Sequence, residues 1–335
     1  MSRATLLLTQ REVERLLDLQ RAIRVVREAF TAMARGEAVM PSKIYLPLPR
    51  RSDFRAMPAF LQHPPACGMK WVNVHPDNRR RGLPTVMALI IMSDPATGEP
   101  LAVMDGVLIT KLRTAAAAAV AAQALARPES RTVGLVGCGA QADAQLLALA
   151  EIFPLTGVSV WGRGAGEAAR FCRRMQRRLP RVRWSAAASV ELCVREADLI
   201  ITVTPSRRPL IRRSWVRPGT HINAVGADAP GKQELDPTLL REATVVVDDS
   251  AQAIHGGEIN VPIRRKQFRQ AQIHATLGEV LLGRRRGRRS DAEITVFDST
   301  GLAIHDVALG AHVLRAARRL RLGRRVAFCT PARSP

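Results

Sequence analysis

Thr132-Val-Gly-Leu-Val-Gly-Cys-Gly-Ala-Gln-Ala-Asp-Ala-Gln-Leu-Leu-Ala-Leu149 is the stretch whose reading decides the fold. Val133 to Val136 is a short apolar run of strand type, and Gln141 to Ala150 is a run of strong helix formers. Between them lies Gly137-Cys-Gly-Ala-Gln-Ala142. A glycine-rich turn that leaves a strand and opens a helix is where a dinucleotide pyrophosphate docks. Gly137 permits the tight turn, and Gly139 removes a Cβ so that phosphate oxygens can approach the backbone. Ala142 is the third small residue, where helix and sheet pack closely. The helix N-terminus offers free N–H groups and the positive end of its dipole.

Downstream, strand-like runs at 158–161, 199–203, 221–225 and 245–248 alternate with helical stretches, the first at Ala165–Leu179. That alternation predicts a parallel, doubly wound α/β sheet. Upstream the character changes. Leu16, Leu17, Ile23, Val26, Ala29, Phe30 and Met33 recur at helical spacing, and Gly36 is placed to end that helix. From Ala38 to Ser93, short β-rich runs broken by Pro, Asn, Asp and Gly predict a mostly antiparallel sheet. Asp94–Gly98 is a turn between two of its strands. Helices are expected at Thr110–Ala126 and His305–Leu320.

The 335 residues suffice for two domains with real cores; aromatics are only 4%, so those cores lean on Ala, Val, Leu and Ile. The reading finds no secretory leader and no apolar run of membrane-spanning length, so a soluble, cytoplasmic chain with no membrane partner is expected. Five cysteines, Cys67, Cys138, Cys172, Cys193 and Cys329, form no CxxC pair, and the histidines show no ligand spacing, so no metal is expected. The formal charge of +22 raises the question of nucleic acid. The arginines are spread along the chain, and the densest run, Arg284–Arg289, has no recognition motif beside it. A solvated basic surface with no specific nucleic-acid partner is expected.

The second strand ends in Val160-Trp-Gly-Arg-Gly164. An NAD site usually places an acid here to hold the ribose 2′-hydroxyl. No acid stands at that position, and Arg163 is suited to a 2′-phosphate instead. NADP(H) is therefore favoured, with NAD(H) left open.

Five further segments go beyond a dinucleotide fold. They are Lys70-Trp-Val-Asn-Val-His-Pro-Asp-Asn78 with Gly82-Leu-Pro-Thr85; Met104–Ala115; Gly226-Ala-Asp-Ala-Pro-Gly-Lys-Gln-Glu234; Gly256-Gly-Glu258; and Asp298-Ser-Thr-Gly301 with Asp306. In this order, from about Val39 to Leu322, the chain resembles the ornithine cyclodeaminase/mu-crystallin family. The resemblance implies a Rossmann doubly wound sheet, residues 115–304, inserted into a smaller α/β substrate-binding and dimerisation domain, residues 1–114 plus 305–335. It implies a homodimer, a small amino or imino acid lying between the domains against the nicotinamide, and interconversion of amine and imine.

The residue roles follow from the same resemblance. Lys70, Arg113 and Lys43 match basic positions near the substrate carboxylate, and Lys70 sits between Met69 and Trp71, where an unpartnered cation is costly. Arg113 is also placed to contact the cofactor. Asp228 matches the acid–base group and Lys70 shares the catalytic site with it. Thr300 faces the substrate. Thr85, Ala140, Gln141, Thr202, Val225, Lys232 and Ser299 match cofactor contacts, joining Gly137, Gly139 and Arg163. One position departs from the pattern. Cyclodeaminases carry a Glu just before Met-Pro, and here Arg55-Ala-Met-Pro58 stands there. A guanidinium stays protonated and is no base, though it binds a carboxylate. The departure favours an imine reductase or amino-acid dehydrogenase, of ketimine or Δ1-pyrroline-2-carboxylate type. Ornithine cyclodeaminase with recycled NAD and a non-catalytic, NADP-dependent ligand-binding protein remain the alternatives.

Overall fold

Alternation in Ser52-Asp-Phe-Arg-Ala-Met-Pro-Ala-Phe-Leu61 buries Arg55, Met57, Ala59 and Leu61 on one face of a ten-residue strand, as a period of two requires. The computed structural model describes residues 4–328 except Arg51 and Ala165; Cys329 and the expected helix start at Ala165 lie outside the described residues. The chain divides into two compact units, Met1–Arg113 with Leu302–Pro335, and Thr114–Gly301.

The first unit runs β1 (Thr5–Leu8), α1 (Gln10–Leu16), α2 (Leu19–Ala34), β2 (Ala38–Val39), β3 (Ile44–Leu48), β4 (Ser52–Leu61), β5 (Ala66–Val74), β6 (Val86–Ser93), β7 (Pro100–Asp105) and the start of α3 (Val107–Leu125). Its sheet has the order β1-β7-β6-β5-β4-β2, with β3 also paired to β4. Only β1 and β7 run parallel; the other pairs are antiparallel. The single N-terminal helix read from the sequence is two helices. Leu17 is extended, and the Asp18 carboxylate accepts from Arg21 N to cap α2. Gly36, at φ +76°, ends α2 as expected.

The second unit continues with β8 (Thr132–Val136), α4 (Ala142–Ala150), β9 (Gly157–Trp161), α5 (Glu167–Gln176), β10 (Arg183–Ala186), α6 (Val190–Val194), β11 (Leu199–Thr202), β12 (Arg207–Ile211), β13 (His221–Ala224), β14 (Gln233–Leu235), α7 (Pro237–Glu242), β15 (Thr244–Val247), α8 (Ser250–Gly256), α9 (Asn260–Arg264), β16 (Ile273–Thr276), α10 (Leu277–Leu281) and β17 (Thr295–Asp298). The main sheet is parallel throughout, in the order β10-β9-β8-β11-β13-β17-β15-β16. From β8 the chain winds outward to β10, then returns to the other side of β8 at β11. That reversal opens a crevice at the carboxyl ends of β8 and β11, the usual ligand position of such sheets. The chain then re-enters the first unit through α11 (Ala303–Leu320) and β18 (Arg324–Val326); β18 pairs antiparallel with β1, and α11 packs on β4, β5 and β6.

Strands β10, β16 and β17 were not expected. Each has only four residues, too few for a period to show, and β10 is a polar edge strand. Helix α3 is long and apolar enough by composition to cross a membrane. Ala115 to Ala122 are each no more than 1% exposed, so the helix is a core element whose small side chains allow close packing. The Arg284–Arg289 run also contributes to structure: Arg288 Nε donates to Leu125 O at 2.8 Å, and Arg289 pairs with Glu293.

Candidate functional site

The β4–β5–β6 register places Lys70 opposite Met57 and Ile90. Directly opposed residues share a face, so Lys70 points onto the buried side together with Arg55. The first turns of α3 carry Arg113, and the first turn of α11 carries His305 and Asp306. A carboxylate in the first turn of a helix is favoured by the dipole. Lys70 Nζ lies 2.8 Å from Asp306 Oδ2, and Arg113 Nε lies 3.3 Å from Asp306 Oδ1. Neither oxygen receives a well-aligned hydrogen bond among the described residues, so the contact is chiefly coulombic. Lys70 is 1% exposed and Asp306 is fully buried. Burial, then the Arg113 charge, pushes the Lys70 pKa down to about 7, against the pull of Asp306. His305 is fully buried and held neutral by that burial, with its ring edge-on to Phe30. Two cations thus share one carboxylate, and the surplus charge is suited to a small anion.

Arg55 is buried and paired in a fork with Asp53, at 2.7 Å from Nε and 3.1 Å from Nη2, with its guanidinium 5.2 Å from the centre of the Tyr45 ring. Lys43 is half-buried, near enough to Lys70 to depress its pKa. The four cations expected at a substrate carboxylate therefore all belong to the first unit, with Arg55 already matched by Asp53. Thr85 precedes β6, and its carbonyl accepts from His75 N at 2.8 Å.

In the second unit the glycine turn fits a dinucleotide. Gly137 has φ +106°, and a Cβ on it would meet Val203 O and Thr204 Cγ2 at 2.9 Å, so only glycine closes this turn. Around Gly139 a Cβ would meet nothing within 4 Å, which leaves open space for phosphate oxygens. Ala140 is exposed and Gln141 half-buried just ahead of α4, and Ala142 is fully buried. The Thr202 hydroxyl is buried at the end of β11 without an aligned partner among the described residues, though close enough to Glu234 to favour its ionised form. Val225 follows β13, and its N–H donates to Thr202 O at 2.9 Å. Ser299 N donates to Ala224 O at 3.0 Å. Arg163 is exposed beyond β9.

Asp228 is about one-third exposed in the loop after β13 and is ion-paired with Lys232. The loop is tied down from beneath. Glu234 accepts from Gly226 N at 2.9 Å and from Thr204 N and Oγ1 at 2.7 Å. Glu258 in turn accepts from Glu234 N and Leu235 N. Both acids are fully buried and their pKa values are raised by burial; Glu258 lies furthest up, because Glu234 is its neighbour. Two buried carboxyls side by side oppose each other's ionisation, and Glu258 is the one pushed further up. Asp248 accepts from Thr300 N, Thr300 Oγ1 and Gly301 N at 2.7 to 2.8 Å, so the Thr300 hydroxyl proton is already committed.

The sequence reading gave no role to Asp306, Asp248, Glu234 or Glu258. Asp306, Glu234 and Glu258 stood inside quoted motifs, but nothing local marks an acid as a counter-ion or a loop anchor. Asp248, an acid at the close of an apolar strand, was the one readable signal.

Comparison with known proteins now adds to this geometry. Residues 3–319 match the model of the ornithine cyclodeaminase/mu-crystallin family. Alanine dehydrogenase of Archaeoglobus fulgidus is 47% identical over 324 residues, 97% of this chain and 98% of that protein. A solved archaeal alanine dehydrogenase dimer with bound NAD superimposes with a TM-score of 0.93 at 47% identity, covering 97% of this chain and 100% of the other. The Thermococcus litoralis Δ1-pyrroline-2-carboxylate reductase in complex with NADH and L-proline has the same TM-score at 33% identity, covering 96% and 100%.

Proposed function

We infer the reaction from a plain starting point: the chain belongs to the ornithine cyclodeaminase/mu-crystallin family and is an NAD(P)-dependent oxidoreductase acting on CH–NH or C=N bonds. We propose that it reduces a small α-imino acid, linear as in an alanine dehydrogenase or cyclic as in a pyrroline-2-carboxylate reductase, in cytoplasmic amino-acid metabolism. The observation that carries this reading is the buried Lys70–Asp306–Arg113 cluster, with its surplus positive charge. An amino or imino acid brings the carboxylate that such a cluster lacks.

In this reading Lys70, Arg113 and Lys43 hold the carboxylate. Arg55 joins them if its fork with Asp53 opens. Lys70 gains a proton as the anion arrives, because the new charge offsets the burial that depresses its pKa. Asp228 donates or accepts the proton at the substrate nitrogen, and Lys232 is its ion-pair partner. Thr300, whose own proton goes to Asp248, offers lone pairs to a cationic nitrogen. When bound, the nicotinamide supplies or takes the hydride. Gly137, Gly139, Ala140, Gln141, Thr202, Val225, Lys232, Ser299, Thr85 and Arg113 bind that cofactor, and Arg163 is the residue a 2′-phosphate would meet.

Arg55 counts against cyclodeamination, since a buried, paired guanidinium takes the place of a base. We also propose a homodimer through the outer face of the first sheet, where Ile44, Leu46, Trp71 and Leu89 are exposed. Absorbance at 340 nm tests the reaction. Loss of signal with reduced cofactor plus pyruvate and ammonia, or with a cyclic imino acid, supports a reductase. Proline formed from ornithine with trace NAD and no net absorbance change overturns it in favour of a cyclodeaminase. Tight cofactor binding with neither reaction overturns it in favour of a binding protein.

A further inference from the structure

We propose that Glu167 takes the place of the missing ribose acid and makes the chain select NAD(H) over NADP(H), overriding Arg163. The proposal rests on the reading of the second unit as a dinucleotide-binding domain. In such a domain the acid that holds the ribose hydroxyl stands at the end of the second strand. Here that strand is β9, and Gly162 follows it.

The space around Gly162 explains the glycine. A Cβ added there would lie 2.5 Å from Cys138 Sγ, so the cysteine of the phosphate loop fills the room an acid's first carbon needs. The same Cβ position lies 3.5 Å from Glu167 Oε2. On ordinary bond lengths a Glu side chain carries its oxygens roughly 3 to 3.7 Å from its own Cβ. Glu167 therefore sets a carboxylate oxygen within 3.5 Å of the first side-chain carbon that an acid at position 162 would have.

Its placement is fixed. Oε2 accepts from Gly164 N at 3.1 Å and lies 4.0 Å from Cys138 Sγ. A Cβ on Gly164 would come within 2.6 Å of the Glu167 carboxyl carbon, so the glycine at 164 is what lets Glu167 fold back over the turn. Burial and Glu167 itself push the Cys138 thiol pKa up, so the cysteine adds no second charge. Glu167 also opens the ten-residue helix α5, whose dipole favours an anion there.

The consequence follows from charge. Oε1 of Glu167 has no hydrogen-bond partner among the described residues and is the oxygen that would accept from a ribose 2′-hydroxyl. A 2′-phosphate at the same place would meet a fixed like charge. Arg163 is exposed and has no ion pair among the described residues, so solvent and salt screen its attraction more than they screen an anchored carboxylate.

Direct binding of NADH and of NADPH, followed by energy transfer from tryptophan to the reduced nicotinamide, tests this without turnover. The parent chain is expected to bind NADH about tenfold more tightly than NADPH. Glu167→Gln should bring the two within about threefold, and Glu167→Asp, which withdraws the carboxylate by one methylene, should move the ratio in the same direction. Arg163→Ala should change the ratio by less than about threefold. Should Glu167→Gln fail to fold, the Asp variant and the parent ratio still decide. A parent that prefers NADPH, or a ratio unmoved by both Glu167 variants, overturns the proposal. A parent that binds neither nucleotide overturns the dinucleotide reading instead.

Discussion

Asp306→Asn removes a charge from the buried cluster at almost constant volume. In the parent chain, Asp306 is the acid that keeps Lys70 near pKa 7, opposed by burial and by Arg113. Without it the Lys70 pKa falls further. An ion pair of this kind is worth about 1.5–3 kcal/mol, or roughly one to two pKa units. An imino acid that binds the protonated lysine then needs that proton supplied at greater cost, and its KM rises roughly 10- to 150-fold above neutral pH. Arg113 cannot shed its proton. It stays buried without its counter-ion, at a cost of about 3–5 kcal/mol, which corresponds to a melting point lower by roughly 6–20 °C. The sign of the pH dependence is diagnostic. In the parent, KM should begin to rise as pH climbs through about 7, where Lys70 loses its proton. In the variant the rise should begin at lower pH, so the two curves agree in acid and part as pH increases. The lysine contributes in the opposite sense to stability. Its folded pKa lies below the ordinary 10.5, so its share of stability is complete above that value and is lost as pH falls through about 7. Initial rates at 340 nm from pH 5.5 to 9, with cofactor saturating, give the KM curves. A KM within twofold of the parent at every pH, or a gap that persists undiminished into acid, refutes the role assigned to Lys70.

Three other outcomes are expected. Asp228→Asn should lower kcat about 10²–10⁴-fold while the dinucleotide Kd stays within a factor of about two; near-normal turnover would remove Asp228 from the chemistry. Gly139→Ala should melt with the parent, because the added methyl meets no atom, yet weaken NADH binding about tenfold, whereas Gly137→Ala should lose about 1–3 kcal/mol of stability to its positive φ and the contacts at 2.9 Å; equal melting of the two variants would contradict this. Glu258→Gln keeps a neutral acceptor facing Glu234 N and Leu235 N. The Glu258 pKa is raised above its ordinary 4.5, so its stability contribution is complete below that value and is lost as pH rises. The melting point of the variant relative to the parent should therefore climb between pH 5 and 8, and a flat difference would mean that Glu258 is ionised in the fold.

Much of the molecule was legible because its signals are local. The glycine turn after β8 reads directly, since backbone conformation and close approach are decided within a few residues. The strand and helix periods of the second unit are local in the same way, and Lys70 between Met69 and Trp71 announces a buried cation. Short elements such as β10, β16 and β17 fell below that resolution, and Asp18 split a helix whose apolar period ran on unbroken.

The strand–glycine turn–helix unit was thus legible in the sequence alone, and so was the buried position of Lys70. Partnership was not. Asp306 reaches Lys70 and Arg113, Glu234 reaches Gly226 and Thr204, and Glu167 reaches the turn after β9, all through contacts of 2.7 to 3.3 Å. Arg163 stood alone in the sequence beside the end of β9, and only the folding of Glu167 back onto Gly164 N sets a carboxylate beside the same turn. Charge interactions fall off with distance and depend on burial, and both quantities are set when remote segments pack, not by the order of residues along the chain.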